Sequence, residues 1–217
     1  MILECKVQAI EKFETDLLVF IQDEMIQDQA HDINHVLRVV KTAKSLCLKE
    51  QANIEAVLPA AYLHDCFSFS KNHPQKAKSS KLAADKAITF LASIHYPREY
   101  FDAIHHAITA HSFSANITPQ TLDAQIIQDA DRLDALGAIG IARCMQVSAS
   151  LGVKLYNTTD TFCIHREPDD SRYTIDHFYV KLLKLGEVMN TNSAKVEAGI
   201  RTQFMKEYLL QLQDELQ

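Results

Sequence analysis

The sequence predicts an all-α fold, a single helical bundle spanning residues 1–217. Three observations lead there. Apolar residues recur every three to four positions along most of the chain. Only five glycines and five prolines occur among 217 residues, so little interrupts long regular elements. A hydrophobic fraction of 47% supplies a core for a domain of this length.

Taken in order, residues 4–28 carry Ile10, Phe13, Leu17 and Phe20 or Ile21 at helical spacing, with acids and lysines between them. Residues 33–50 repeat the pattern with Val36, Val39, Val40, Ala43 and Cys47, and Asp32 is placed to cap that helix. Residues 53–66 form a more apolar, buried helix that ends in His64-Asp65. The stretch SFSKNHPQKAKSS is polar, holds a proline and reads as a loop. Residues 80–94 and 98–110 are two further helices, with Pro97 at the start of the second.

Residues 120–149 are one or two helices, where Ala135, Gly137, Ala138, Gly140 and Ala142 allow close approach of neighbours. Residues 150–173 are the longest irregular stretch, a length that points to a functional or mobile segment. Beyond it, Phe178, Leu182, Leu185 and Met189 form one apolar stripe, and Val196, Ile200, Phe204 and Tyr208 another. The site-bearing core covers about 30–150 of this numbering, and the C-terminal helices, 174–216, are expected to pack on it.

The bulk charge narrows the function. A net charge of −6 and a pI near 5.9 leave no footprint for general nucleic-acid binding, although a local basic site can still hold a phosphorylated small molecule. The five cysteines are scattered, odd in number and without a C-x-x-C pair, which predicts reduced thiols in a cytoplasmic protein. Cys66 follows Asp65 but reads as a small apolar residue rather than a nucleophile. No apolar run approaches the ~20 residues of a membrane span, and MILECKVQAIEKFE mixes charges in a way a secretory signal does not.

Four separated residues carry the chemistry: His35, the pair His64-Asp65, and Asp131. Imidazole and carboxylate together suit a divalent ion that keeps positions open for water. Of the two His-Asp dipeptides, Asp32 of His31-Asp32 is explained as a cap, which leaves His35 in the first helical turn. His64-Asp65 ends an apolar run, where charge is costly unless paired or coordinated. Neighbours on a helix point about 100° apart, so both reach one ion only if it lies beside the helix. In QDADRLD, Asp131 and Asp134 are three apart on one helical face, and Asp129 points roughly the other way. One of these acids is expected to bind metal, while another pairs with Arg132 or orients a ligand histidine.

The ordered phrases HDINHVLRVV, LHD, KNHPQKAKSS, AITAHSFS, QDADRLDALGAIGIAR and DHFYVKLLKL resemble the HD superfamily of metal-dependent phosphohydrolases, in its branch of small single-domain bacterial proteins. The resemblance runs from about Ala30 to the C-terminal helix. It implies an all-helical fold and one divalent ion (Mn, Mg, Ni, Co or Fe) held by His35, His64, Asp65 and Asp131. It implies hydrolysis of a small phosphorylated compound, with a nucleotide first in line and nucleoside triphosphate pyrophosphohydrolysis as the chemistry of similar small relatives. The alternative is a nucleotide-sensing HD module with little or no turnover. Oxygenase chemistry at a two-iron site would need further ligands; His105, His106 and His111 are the candidates, at spacings that do not match that pattern.

Asp65 or an acid of residues 129–134 is a candidate for proton removal. Arg38, one turn after His35, Lys71 in the loop after the His-Asp pair, and His111 are candidates for binding a phosphate or donating a proton. The expected partner is a phosphorylated small molecule, with no nucleic acid and no membrane. The oligomeric state is left open.

Overall fold

The computed structural model describes residues 2–25, 32–69, 73–112 and 115–216, with side chains in the first helix from Lys12 onward. The chain divides into two compact units, Met1–Asp131 and Arg132–Gln217. Among the described residues there is no sheet. The only β pairing among the described residues is a single bridge between Lys154 and Tyr173, so the all-α expectation is met. No helix among the described residues is long and apolar enough to cross a membrane.

The first unit contains α1 (Ile2–Glu24), α2 (Ile33–Glu50), α3 (Ile54–Leu63), α4 (Ser79–Ser93), α5 (Phe101–His111) and most of α6 (Leu122–Leu133). Its centre is α3, which packs against α1, α2, α4 and α5. Every residue of α3 is buried, the expected fate of the run IEAVLPAAYL. Pro59 lies inside that helix and cannot donate back to the Glu55 carbonyl. The Tyr96 hydroxyl takes over, donating to Glu55 O at 2.7 Å. The α3 N-terminus is capped by Asn53, whose side chain accepts from Glu55 N, and the Asn53 N–H in turn donates to Asp123.

The predicted helix over 33–50 has the observed bounds, and Asp32 is its cap. The region 120–149 is two helices. Asp134, Ala135 and Leu136 form the break before α7 (Gly137–Ser150). Gly137 takes a left-handed φ of 72° there, and a Cβ on Gly140 would lie 2.3 Å from the Ala135 carbonyl oxygen. Both positions therefore require glycine. The break overturns one expectation: Asp134 lies beyond the helix and so does not share a helical face with Asp131, and Arg143 pairs with it at 2.8 Å. Arg132 donates to Val188 O.

In the second unit, α8 (Thr174–His177) runs through a wider π-helical turn (Phe178–Leu182) into α9 (Leu183–Leu185), and α10 (Asn192–Glu215) packs on α7. Phe178, Leu182, Leu185 and Met189 are all buried. The second stripe turns outward: Val196 is 68% and Ile200 63% exposed, with Phe204 exposed as well. The buried line of α10 is instead Ala194, Ala198, Met205 and Leu209. The irregular stretch 151–173 is tied together by side chains. Asp160 accepts the N–H groups of Ile164 and His165, and Arg166 grips the buried Asp176 with two hydrogen bonds, at 2.5 and 2.7 Å.

Candidate metal centre

The cap of α2 sets the first site residue. Asp32 Oδ1 accepts from His35 N at 2.7 Å, which puts His35 in the first turn on the buried face shared by Val36, Val39 and Val40. His64 follows the last residue of α3 and is fully buried, so the core helix delivers it. Asp65 comes next and keeps 15% of its side chain exposed. Asp131 projects from the last turn of α6 with 31% exposure.

These four converge. His35 Nε2 is 3.4 Å from His64 Nε2, 3.4 Å from Asp131 Oδ1 and 3.7 Å from Asp65 Oδ2. His64 Nε2 is 3.4 Å from Asp65 Oδ2. His35, His64 and Asp131 each offer one ligand atom, all within 4.8 Å of one another. Such separations suit donor atoms sharing an ion at about 2.0–2.2 Å.

The donor set itself calls for a cation. The Nδ1–H of His64 donates to Ala61 O at 2.8 Å, so in the neutral ring the Nε2 lone pair faces the other histidine and a carboxylate oxygen. That arrangement is repulsive unless a proton or metal lies between the groups. Burial pushes the His64 imidazole below its ordinary range despite the pull of Asp65, so a proton is held poorly there. Burial would raise the Asp131 carboxyl, but the bond to His35 and the His35 charge come first among the interactions that outweigh it and hold Asp131 well below the usual carboxylate range. The residues present thus fit a metal ion bound by nitrogen and oxygen.

His111 joins the same cluster. It ends α5, buried, with its ring centroid 5.0 Å from that of His64. Its Nδ1–H donates to Ile108 O at 2.6 Å, and Nε2 lies 3.7 Å from Asp65 Oδ1. Burial pulls this imidazole down, but the Asp65 carboxylate, Asp131 and the Ile108 carbonyl outweigh it and raise the pKa. Asp65 therefore faces ring nitrogens with both oxygens: His35 and His64 with Oδ2, His111 with Oδ1.

The other candidates fall differently. Arg38 is half-buried further along α2. Burial raises the neighbouring Asp32 carboxyl, but the bonds from His35 N and Asn34 and the Arg38 charge together lower it. Lys71 lies outside the described residues. His105 bonds Asp85 at 2.8 Å, and His106 Nε2 accepts from Gln120 N. Asp129 is fully buried. Cys66 is buried, its Sγ donating to Ala83 O, and burial pushes its thiol up to about 12, which removes it as a nucleophile.

Sequence reasoning did not single out Ser80 or Gln128, both buried beside the end of α5. Ser80 Oγ donates to Thr109 O at 3.0 Å and Gln128 Nε2 to Ala110 O at 2.8 Å. The available signal was the position of Gln128, three residues before Asp131 and so on its helical face.

Comparisons with known proteins show the family. Residues 32–136, which include all four converging residues, match the HD domain family. YpgQ of Bacillus subtilis is 30% identical over 194 residues, 88% of this chain and 86% of YpgQ. The crystal structure of YpgQ in complex with ADP superimposes with a TM-score of 0.73 at 31% identity, covering 94% of this chain and 95% of that one. An HD-superfamily hydrolase from Bacillus thuringiensis gives a TM-score of 0.73 at 34% identity over 97% of both chains. With its histidines and aspartates gathered at one point inside the matched region, this chain belongs to the HD superfamily of hydrolases.

Proposed function

We propose that this protein is a divalent-metal-dependent phosphohydrolase that acts on a nucleotide. The observation that carries the reading is the convergence of two imidazole nitrogens with the carboxylates of Asp65 and Asp131 at one partly open point. The ADP complex of YpgQ supports a nucleotide as the substrate class. Release of pyrophosphate from a nucleoside triphosphate is the finer form of the proposal.

His35, His64, Asp65 and Asp131 would hold the ion. When bound, it lowers the pKa of a water and polarises a phosphoryl oxygen. Asp65 is partly exposed and has one oxygen turned toward His111, so it can accept a proton from the attacking water. His111, held by its Nδ1–H on Ile108 O, turns Nε2 toward that carboxylate and, when protonated there, can hand the proton to the departing oxygen. Arg38 offers a planar guanidinium to phosphate oxygens, and Lys71 a point charge.

The test is turnover of a panel of nucleotides with Mn²⁺, Mg²⁺, Ni²⁺, Co²⁺ or Fe²⁺, with phosphate and pyrophosphate detected separately. Metal-dependent release from at least one nucleotide is expected, with pyrophosphate as the product of a triphosphate. Absence of release with every metal would contradict the reading.

A further inference from the structure

We propose that Ser80 and Gln128 are positioning residues that clamp the last turn of α5 and so fix where His111 points; the proposal rests on the phosphohydrolase reading above. A helix leaves its last four carbonyls without intrahelical donors. At the end of α5 three of them are taken by buried side chains. His111 Nδ1–H bonds Ile108 O at 2.6 Å, Ser80 Oγ bonds Thr109 O at 3.0 Å, and Gln128 Nε2 bonds Ala110 O at 2.8 Å. No glycine follows, and Ser112 is extended with φ −73° and ψ 127°. Ser112 itself is therefore not left-handed, and side chains from two other helices supply donors to Thr109 O and Ala110 O.

The origin of those side chains gives the clamp its consequence. Ser80 belongs to the first turn of α4, and Gln128 sits on α6, three residues before Asp131. The helix end that carries His111 is thereby fastened to the helix that carries a metal-site carboxylate. Because His111 bonds a carbonyl of its own turn, its ring direction follows that turn. Its Nε2 stands 3.7 Å from Asp65 Oδ1, just beyond hydrogen-bond distance, so a small displacement of the turn changes whether the two groups can close to a proton-passing contact. A misplacement of about 1 Å costs on the order of 10²-fold in rate.

The experiment is a double-mutant cycle on the full chain, with folding followed by circular dichroism. Gln128→Met removes the donor at similar volume, and Ser80→Ala removes the other. Each should lower kcat by about 10- to 100-fold while KM changes less than about twofold. Ser80→Thr, which keeps the hydroxyl, should restore kcat. In a His111→Ala background, Gln128→Met should change kcat by less than about twofold, because the group it positions is gone. Equal losses in both backgrounds would overturn the proposal and leave Gln128 a structural residue. A second readout does not depend on turnover. The Nδ1 proton of His111, assigned by its loss in His111→Ala, should exchange slowly in the wild-type apoprotein and faster in Gln128→Met and Ser80→Ala. Unchanged exchange in both variants would overturn the clamp. If the wild type hydrolyses no nucleotide, the functional reading fails, and the exchange measurement still decides the clamp. If Gln128→Met does not fold, Ser80→Ala carries the same comparisons.

Discussion

Asp129 and Asp131 stand two residues apart on α6 and have different surroundings: Asp129 is fully buried, whereas Asp131 faces His35 at 3.4 Å. Asp131→Asn should weaken metal binding and abolish turnover, and Asp129→Asn should act mainly on stability. Metal content and melting temperature of the two variants separate these outcomes; an equal loss of metal in both would reverse the assignment. The convergence of His35, His64, Asp65 and Asp131 was legible because each sits in a phrase whose residue types suit a metal. The aim of His111 at Asp65 was not, since it depends on which carbonyl its Nδ1 meets. The partner of Asp134 was hidden for another reason. Helical periodicity does not reveal that α6 ends at Leu133, and that ending turns Asp134 toward Arg143.

The core helix α3 delivers His64, and its irregularity is compensated from elsewhere in the chain. Pro59 leaves the Glu55 carbonyl without a helical donor, and Tyr96 supplies the hydroxyl. Tyr96→Phe removes that buried donor and should cost about 1–3 kcal/mol of stability, read from denaturant unfolding; a change below about 0.5 kcal/mol would show that the bond contributes little. Asp32→Ala removes the α2 cap that also holds His35 N, and should cost about 1 kcal/mol. Helix α2 was legible to its ends because a capping acid and a clear apolar period coincide there. The outward turn of Val196, Ile200 and Phe204 was not, because a period names a stripe without naming the side that is covered. In α10 the covered side is built largely from alanine and methionine, and small residues leave a weak signature.

Across the whole chain, helix content was readable from the scarcity of glycine and proline, whereas the ordering of residues 151–173 was not. It rests on pairings distant in type and spacing, above all Arg166 with Asp176. Burial would raise the Asp176 carboxyl, but the Arg166 bonds and the Asp169 N–H outweigh it and lower the pKa. A folded-state value below the unfolded value near 3.9 stabilises the fold above that pH, and the contribution is lost as pH falls through the folded value. Stability measured from pH 7 downward should therefore drop below about pH 4 in the wild type. Asp176→Asn should lower stability at pH 7 and flatten the acid dependence. A variant with the wild-type acid profile would show that this pair does not set it.

The proposal that His35, His64, Asp65 and Asp131, which converge in the fold, bind one ion and drive hydrolysis is tested most directly by metal content and turnover measured together in the wild type and in His64→Ala. The wild type should bind one equivalent of Mn²⁺ and release phosphate or pyrophosphate from a nucleotide. His64→Ala should keep its helical spectrum while metal and turnover are lost together. Full metal content and full turnover in His64→Ala would contradict the assignment.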